Sequence, residues 1–238
     1  MDYNSRLKYA HRVALISDDI YESAVENCDG NYVNIDTTNA LCAHSLQRYK
    51  QCTNQITITN ILEPFCNETY HKTPYCEDPS FDAIQIWAND ETTQHALNIS
   101  QGTIGKWEIF NTTIHYADGK NDTFCYSYDI FSSFDYHKKL KSKKCRALVF
   151  SGDHDMTFPY VGTEQWITSL NISVEEPWEP YYIDGQVGGF QMTYAENDFS
   201  LTFATVKGAG HSAEDDKPKE SMDMIKRWFA SRTDSSSY

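Results

Sequence analysis

Two glycine-bounded loops constrain this chain more than anything else in it. Each follows an apolar run, and each ends in a residue type that serves catalysis. The first is Ser151-Gly152-Asp153-His154-Asp155, after Ala147-Leu148-Val149-Phe150. The second is Gly208-Ala209-Gly210-His211, after Leu201-Thr202-Phe203-Ala204-Thr205-Val206. Short apolar runs bounded by glycine read as buried parallel strands. In open α/β sheets, sites form just beyond the carboxyl ends of the strands.

An acid and then a histidine, in that chain order and at strand ends, are the second and third members of an α/β-hydrolase triad. The first member is a serine on a nucleophile elbow. Neither G-x-S-x-G nor a Gly-acid-Ser-Tyr arrangement occurs in the 238 residues. A histidine accepts a proton from a nucleophile only when its tautomer is fixed, which a buried carboxylate on its other nitrogen does. Asp155 and His211 are the candidates for that pair, with Asp153 competing as the acid and His154 as the base. Asp155 is preferred because Gly152-Asp153 would form the turn itself, with Asp155 just beyond it. Taken singly, an Asp in such a turn more often caps it, and a loop histidine is more often simply hydrogen-bonded. The joint occurrence at two strand ends is what carries the functional reading. The other histidines, His11, His44, His71, His95, His115 and His137, lack ligand spacing, so no metal site or cofactor is indicated. Asp215 and Asp216 read as a solvated turn leading into Lys217-Pro218.

Twenty basic against 34 acidic residues leave a net charge of -14, which repels phosphate backbones and anionic membrane surfaces. Nucleic acid is an unfavourable partner. No apolar run approaches the ~20 residues that span a bilayer, and Met1 to Arg6 has no apolar signal core,; the chain as written is expected to be soluble, without an export signal. Other features point to an oxidising compartment. Sequons occur at Asn67, Asn98, Asn111, Asn121 and Asn171, where about two would arise by chance. Of seven cysteines, Cys28, Cys42, Cys52, Cys66 and Cys76 crowd the first third, and no C-x-x-C pair exists to suggest zinc,. Local disulfides fit better, with the odd count leaving one thiol over.

Apolar residues from Arg6 to Asn27 recur at helical spacing, with Ser17-Asp18-Asp19 as a break and fresh cap, so two helices are expected,. Asn39 can cap a third, in which Cys42, Leu46 and Tyr49 share a face,. A Cys28 to Cys42 bridge would then staple neighbouring helices, and Cys66 and Cys76 are placed to close the loop-like segment between Pro64 and Pro79. Ile84 to Leu97 reads as helical in its second half, capped by Asn89 or Asp90, and residues 98–137 as surface loops and short strands. Tyr160 to Leu170 suits a helix, and the turn signals Asp184-Gly185 and Gly188-Gly189 flank short strand candidates. Pro218 opens a last helix to Ala230 with an apolar stripe of Met222, Ile225, Trp228 and Phe229,. The expectation is one partial α/β domain over 1–238: a helical, disulfide-bearing region to about residue 80, then a β-α-β-α part from about 81 to 238.

Eight ordered segments resemble one family, the plant serine carboxypeptidase-like proteins, together with the acyltransferases that share their scaffold. They are Tyr9-Ala10-His11 through Ala14-Leu15-Ile16-Ser17, Gly30-Asn31-Tyr32-Val33-Asn34, Ile61-Leu62-Glu63-Pro64, Trp87-Ala88-Asn89-Asp90, Ile104-Gly105-Lys106-Trp107-Glu108, Ser151 through Met156, Asp184-Gly185-Gln186-Val187, and Thr202 through His211. The resemblance covers residues 3 to 230 and corresponds to roughly the second half of a family member. It implies an α/β-hydrolase fold with part of a helical insertion, disulfides Cys28 with Cys42 and Cys66 with Cys76, and triad roles for Asp155 and His211. The family's serine, oxyanion donors and carboxylate-recognising residues would lie upstream, on a preceding segment or a separate chain. Phe110 stands where a family cysteine bridges to that half, and Cys145 where an aromatic residue is expected. The activity implied is release of C-terminal residues from peptides through an acyl-enzyme. Acyl transfer from a sugar ester is the alternative, which the Asp-His-Asp wording of the first loop resembles. Such proteins are secreted or vacuolar. A truncated, inactive product is the remaining reading, since half a sheet leaves an unpaired strand edge.

Overall fold

The helical spacing of the first third becomes three helices, α1 (Asp2–Arg12), α2 (Asp18–Asn27) and α3 (Ala40–Thr53), in a computed structural model. The structure describes residues 2–36, 38–65, 79–100, 102, 105–108, 115–116, 125–126, 130 and 132–231. Leu7, Tyr9 and Ala10 of α1, Ile20 and Ala24 of α2 and Cys42 of α3 share one buried cluster, against which Leu46 and Tyr49 pack. The side chain of Asn39 caps α3, accepting from the Cys42 amide at 3.0 Å,. Ser17 makes no such bond at the start of α2; the chain turns there through Ala14, held at φ 60°.

A disulfide joins Cys28, at the end of α2, to Cys42 in the first turn of α3, 14 positions apart. Cross-linking over so short a span removes about 3 kcal/mol of unfolded-chain entropy. The paired substitution Cys28→Ser, Cys42→Ser is therefore expected to lower the urea midpoint by the equivalent of about 2–4 kcal/mol. An unchanged midpoint would show that α2 and α3 hold together without the staple. Cys66 and Cys76 lie outside the described residues.

The chain divides into two compact units, residues 66–133 and the remainder. Within the smaller unit, Ile84 to Leu97 is not one late helix but parts of two, α4 (Pro79–Asn89) and α5 (Glu91–Ala96). Asp90 is the cap, its carboxylate accepting from the Thr93 amide at 2.9 Å. Asn89 does something else: its side chain closes on the backbone of Trp107 through both a donor and an acceptor bond. Two-residue strands β1 (His115–Tyr116) and β2 (Cys125–Tyr126) pair in parallel.

In the larger unit, α6 (Phe134–Lys141) leads into β3 (Arg146–Gly152), α7 (Tyr160–Thr168), β4 (Ser173–Ile183), β5 (Gln186–Glu196), β6 (Phe199–Val206), α8 (Ala213–Asp216) and α9 (Pro218–Ala230). The sheet order is β3-β6-β5-β4, with β3 parallel to β6 and the other pairs antiparallel. This mixed sheet flanked by helices is an α/β architecture. Where short strand candidates were expected around Trp178 to Gly189, the structure has two strands of 11 residues. They meet at Asp184-Gly185, both in the left-handed region (φ 49° and 76°) as a two-residue hairpin turn requires,. The second part thus runs β-α-β-β-β-α-α. Strand β4 carries Pro177 and Pro180, which an edge strand tolerates because, among the described residues, one of its sides faces no ladder,.

Strand β6 is buried on both faces, and the period of two sorts its residues,. Leu201 and Phe203 pack with Ile167, Leu170 and Ile172. Ala204 and Val206 pack with Ala209, Ala213 and Met224. The packing face of α9 departs from the expected stripe: Ser221 and Met224 are buried, with Ile225 and Trp228 beside them, while Met222 and Phe229 are exposed. Hydrophobicity alone mislaid that face by one position, because Ser221 spends its hydroxyl on the Ala213 carbonyl at 2.9 Å. Among the described residues, no helix is long and apolar enough to cross a membrane.

Candidate active site

Strands β3 and β6 end level, with Gly152 opposite Val206, so the loops that leave them meet. They meet at backbone contact. A Cβ on Gly152 would lie 2.1 Å from the Gly210 carbonyl oxygen and 2.4 Å from that of Ala209, and one on Gly210 would lie 2.3 Å from the Thr59 carbonyl oxygen. Both positions require glycine for close approach. Three segments, 57–62, 152–158 and 207–211, are laced together through their backbones. The His154 amide donates to Ala209 O (2.8 Å), Met156 to Ile58 O (2.8 Å), Ile61 to His154 O (3.1 Å), and His211 to Thr59 O (2.6 Å).

On that lattice the structure brings Asp155 and His211 together. Asp155 Oδ2 lies 3.0 Å from His211 Nδ1. Its Oδ1 accepts from the amides of Thr157 (2.6 Å) and Phe158 (3.2 Å). The carboxylate side chain is 6% exposed and the imidazole 42%, so a fixed buried acid holds a ring that opens to solvent. A carboxylate can only accept, so Nδ1 carries the proton and Nε2 presents a lone pair. Nε2 makes no hydrogen bond among the described residues. The Phe158 ring lies against the imidazole, centroids 5.6 Å apart.

The competing residues are engaged with each other. Asp153 Oδ1 lies 2.6 Å from His154 Nδ1 and accepts from the Gly208 amide at 2.7 Å; it is the turn's own acid. Helix α1 braces this loop. The Tyr9 hydroxyl donates to the Asp153 carbonyl at 2.9 Å, and Arg6 donates to the Thr157 carbonyl at 3.0 Å. Burial, with the charges of Asp153 and Asp155 alongside, pushes the Tyr9 hydroxyl well above its ordinary value, so it stays protonated and donating.

Asp216 departs from the sequence reading. In place of a solvated turn, its Oδ2 accepts from the Gly210 amide at 2.6 Å and from Asn60 Nδ2 at 3.1 Å. Neither Asp216 nor Asn60 carries a motif. Of the sequon asparagines, Asn98 and Asn171 are exposed, and Asn67, Asn111 and Asn121 lie outside the described residues. No group of three or more His, Cys, Asp or Glu that could hold a metal occurs among the described residues.

The family model for serine carboxypeptidases matches residues 1–231. The chain belongs to the serine carboxypeptidase family. Curated relatives agree with the breadth of that match. Serine carboxypeptidase-like 3 of Arabidopsis thaliana is 42% identical over 228 residues, 96% of this chain and 48% of the relative. Serine carboxypeptidase-like 17 of the same plant is 41% identical over 230 residues, 97% of this chain and 48% of the relative. This serine carboxypeptidase family chain thus spans about half the length of the curated relatives it matches. The fold extends to a prohormone-processing carboxypeptidase from Saccharomyces cerevisiae. That crystal structure superposes with a TM-score of 0.65 at 14% identity, covering 97% of this chain and 52% of that one.

Proposed function

We propose that these residues supply the acid and the base of a serine carboxypeptidase-like hydrolase whose nucleophilic serine comes from a segment upstream or a separate chain. The supporting observation is the Asp155–His211 pair: one buried carboxylate saturated by two amides and one imidazole nitrogen, with Nε2 left to accept a proton. In the forward step, Nε2 takes the proton of a serine hydroxyl as the serine oxygen bonds to the scissile carbonyl carbon. The C–N bond then breaks, the leaving amine receives that proton from His211, and an acyl-enzyme remains. Water, deprotonated by the same Nε2, releases the shortened peptide and regenerates the serine. Strand β3, paired among the described residues with β6 on one side, offers the edge on which an upstream half would continue the sheet. The disulfide and the exposed sequon residues Asn98 and Asn171 favour a secreted or vacuolar setting,.

Intact mass before and after a fluorophosphonate probe, on protein from its native source, tests all of this. Expected are a labelled serine on a longer chain or a co-purifying partner, and mass removable by endoglycosidase. An unlabelled species consisting only of these residues would establish the inactive, truncated reading instead. Turnover of glucose esters with no turnover of blocked dipeptides would replace the peptidase by the acyltransferase, whose chemistry is the same as far as the acyl-enzyme.

A further inference from the structure

The catalytic role of His211 rests on the reading above, but the way its loop is held does not. Every backbone amide from Gly208 to His211 is spent: on Asp153 Oδ1, on Val206 O, on Asp216 Oδ2 and on Thr59 O. Two of those four acceptors are carboxylates, one on each side of Ala209, and charge-assisted bonds of this kind are the stronger ones. Asp153 belongs to the β3 loop. Asp216 is the last residue of α8, a single turn of four residues. What it gains is two bonds on one oxygen: the Gly210 amide, one residue before His211, and the Nδ2 of Asn60, one residue after Thr59. Thr59 is itself the acceptor for the His211 amide. Asn60 is buried, and its Oδ1 is committed to the Leu62 amide at 3.1 Å, which fixes the direction in which Nδ2 points. Gly210 cannot yield sideways, because the Thr59 carbonyl and Asn60 occupy the space a side chain would take.

We infer that Asp216 is a positioning residue for the imidazole of His211, acting through Gly210 and clasped from the other side by Asn60. It touches no reacting atom. Its carboxylate closes a ring of contacts, Asp216 to Gly210, His211, Thr59, Asn60 and back, so the histidine backbone has one place to stand while Asp155 orients the ring.

The test reads the ring proton directly and needs no turnover. In histidine labelled with nitrogen-15, the low-field Nδ1 proton shared with Asp155 reports how often the pair opens to solvent. Asp216→Ala removes both bonds, and exchange of that proton is expected to be about tenfold faster, the factor a lost charge-assisted hydrogen bond implies. Asp216→Asn keeps an oxygen that can accept from both donors, and is expected to restore exchange to within about twofold of the wild type. Asn60→Ala removes one of the two bonds to Asp216, together with the acceptor of the Leu62 amide, and is expected to fall between them; it also carries the test should Asp216→Ala fail to fold. Wild-type exchange in Asp216→Ala, or in Asn60→Ala where the former does not fold, would overturn the clasp. A clasp that behaves as expected, where protein from the native source shows no labelled serine on a longer chain or a co-purifying partner, would sink the proposed catalysis and leave the positioning intact. A wild-type protein lacking the low-field proton would overturn both.

Discussion

Gly152→Ala is expected to cost about 3 kcal/mol or more, at the upper end of what overpacking does, and to lower the melting temperature of the protein by about 10 °C. The new methyl would meet the Gly210 and Ala209 carbonyl oxygens at 2.1 and 2.4 Å. Neither is the far end of a flexible side chain. The Ala209 oxygen already accepts from the His154 amide, and the loop around it is tied to Thr59 and Asp216. Relief by backbone movement therefore breaks hydrogen bonds that no water replaces inside the contact. Gly105→Ala is the control, since among the described residues nothing lies within 4 Å of its would-be methyl, and should leave the melting curve in place. Equal melting temperatures for the two variants would mean that the β3 and β6 loops do not touch as described.

The same contact explains why the pair of loops was legible in the sequence while much of their support was not. A short apolar run ending in glycine fixes both a strand and the point where its backbone can be approached, and Asp155 and His211 follow at those points. The choice of Asp155 over Asp153 also follows locally, because the turn consumes Asp153, which the structure shows bound to His154 and Gly208. Asp216 had no such signature. An acidic run before a proline reads as a solvated turn, and its partner Asn60 lies 156 positions away, a separation at which no periodicity operates. Strand β4 was obscured for a different reason. Its sequence, Ser-Val-Glu-Glu-Pro-Trp-Glu-Pro-Tyr-Tyr-Ile, has the prolines and charges of a loop. An edge strand needs its ladder on one side only, and charges and prolines there keep other strands from adding. The misplaced face of α9 has a related origin: a polar side chain, Ser221, is buried because the carbonyl of Ala213, eight positions back in α8, accepts from its hydroxyl.

Asp155→Asn is expected to lower the rate of fluorophosphonate labelling, or kcat on any ester, by about 10⁴-fold in the assembled enzyme. The protein should stay folded, and the reason lies in the loop. If the asparagine kept its oxygen towards Thr157 and Phe158, both amides would retain their acceptor, and its NH2 would face His211 Nδ1. That nitrogen would then have to accept, which places the ring proton on Nε2 and removes the lone pair that takes the serine proton. If the asparagine turned the other way, its NH2 would face two amide donors, leaving groups unpaired in a buried site at about 1–3 kcal/mol each. The loop therefore selects the orientation that disables the base. Asp155→Ala differs in kind: it frees the ring, leaves both amides without an acceptor, and should lose stability as well as rate. A labelling rate for Asp155→Asn within about tenfold of the wild type, far short of the loss that a wrong tautomer produces, would show that His211 is not oriented by this carboxylate during the reaction. Asp153, a turn acid in the geometry seen here, would then have to be tested for the same duty.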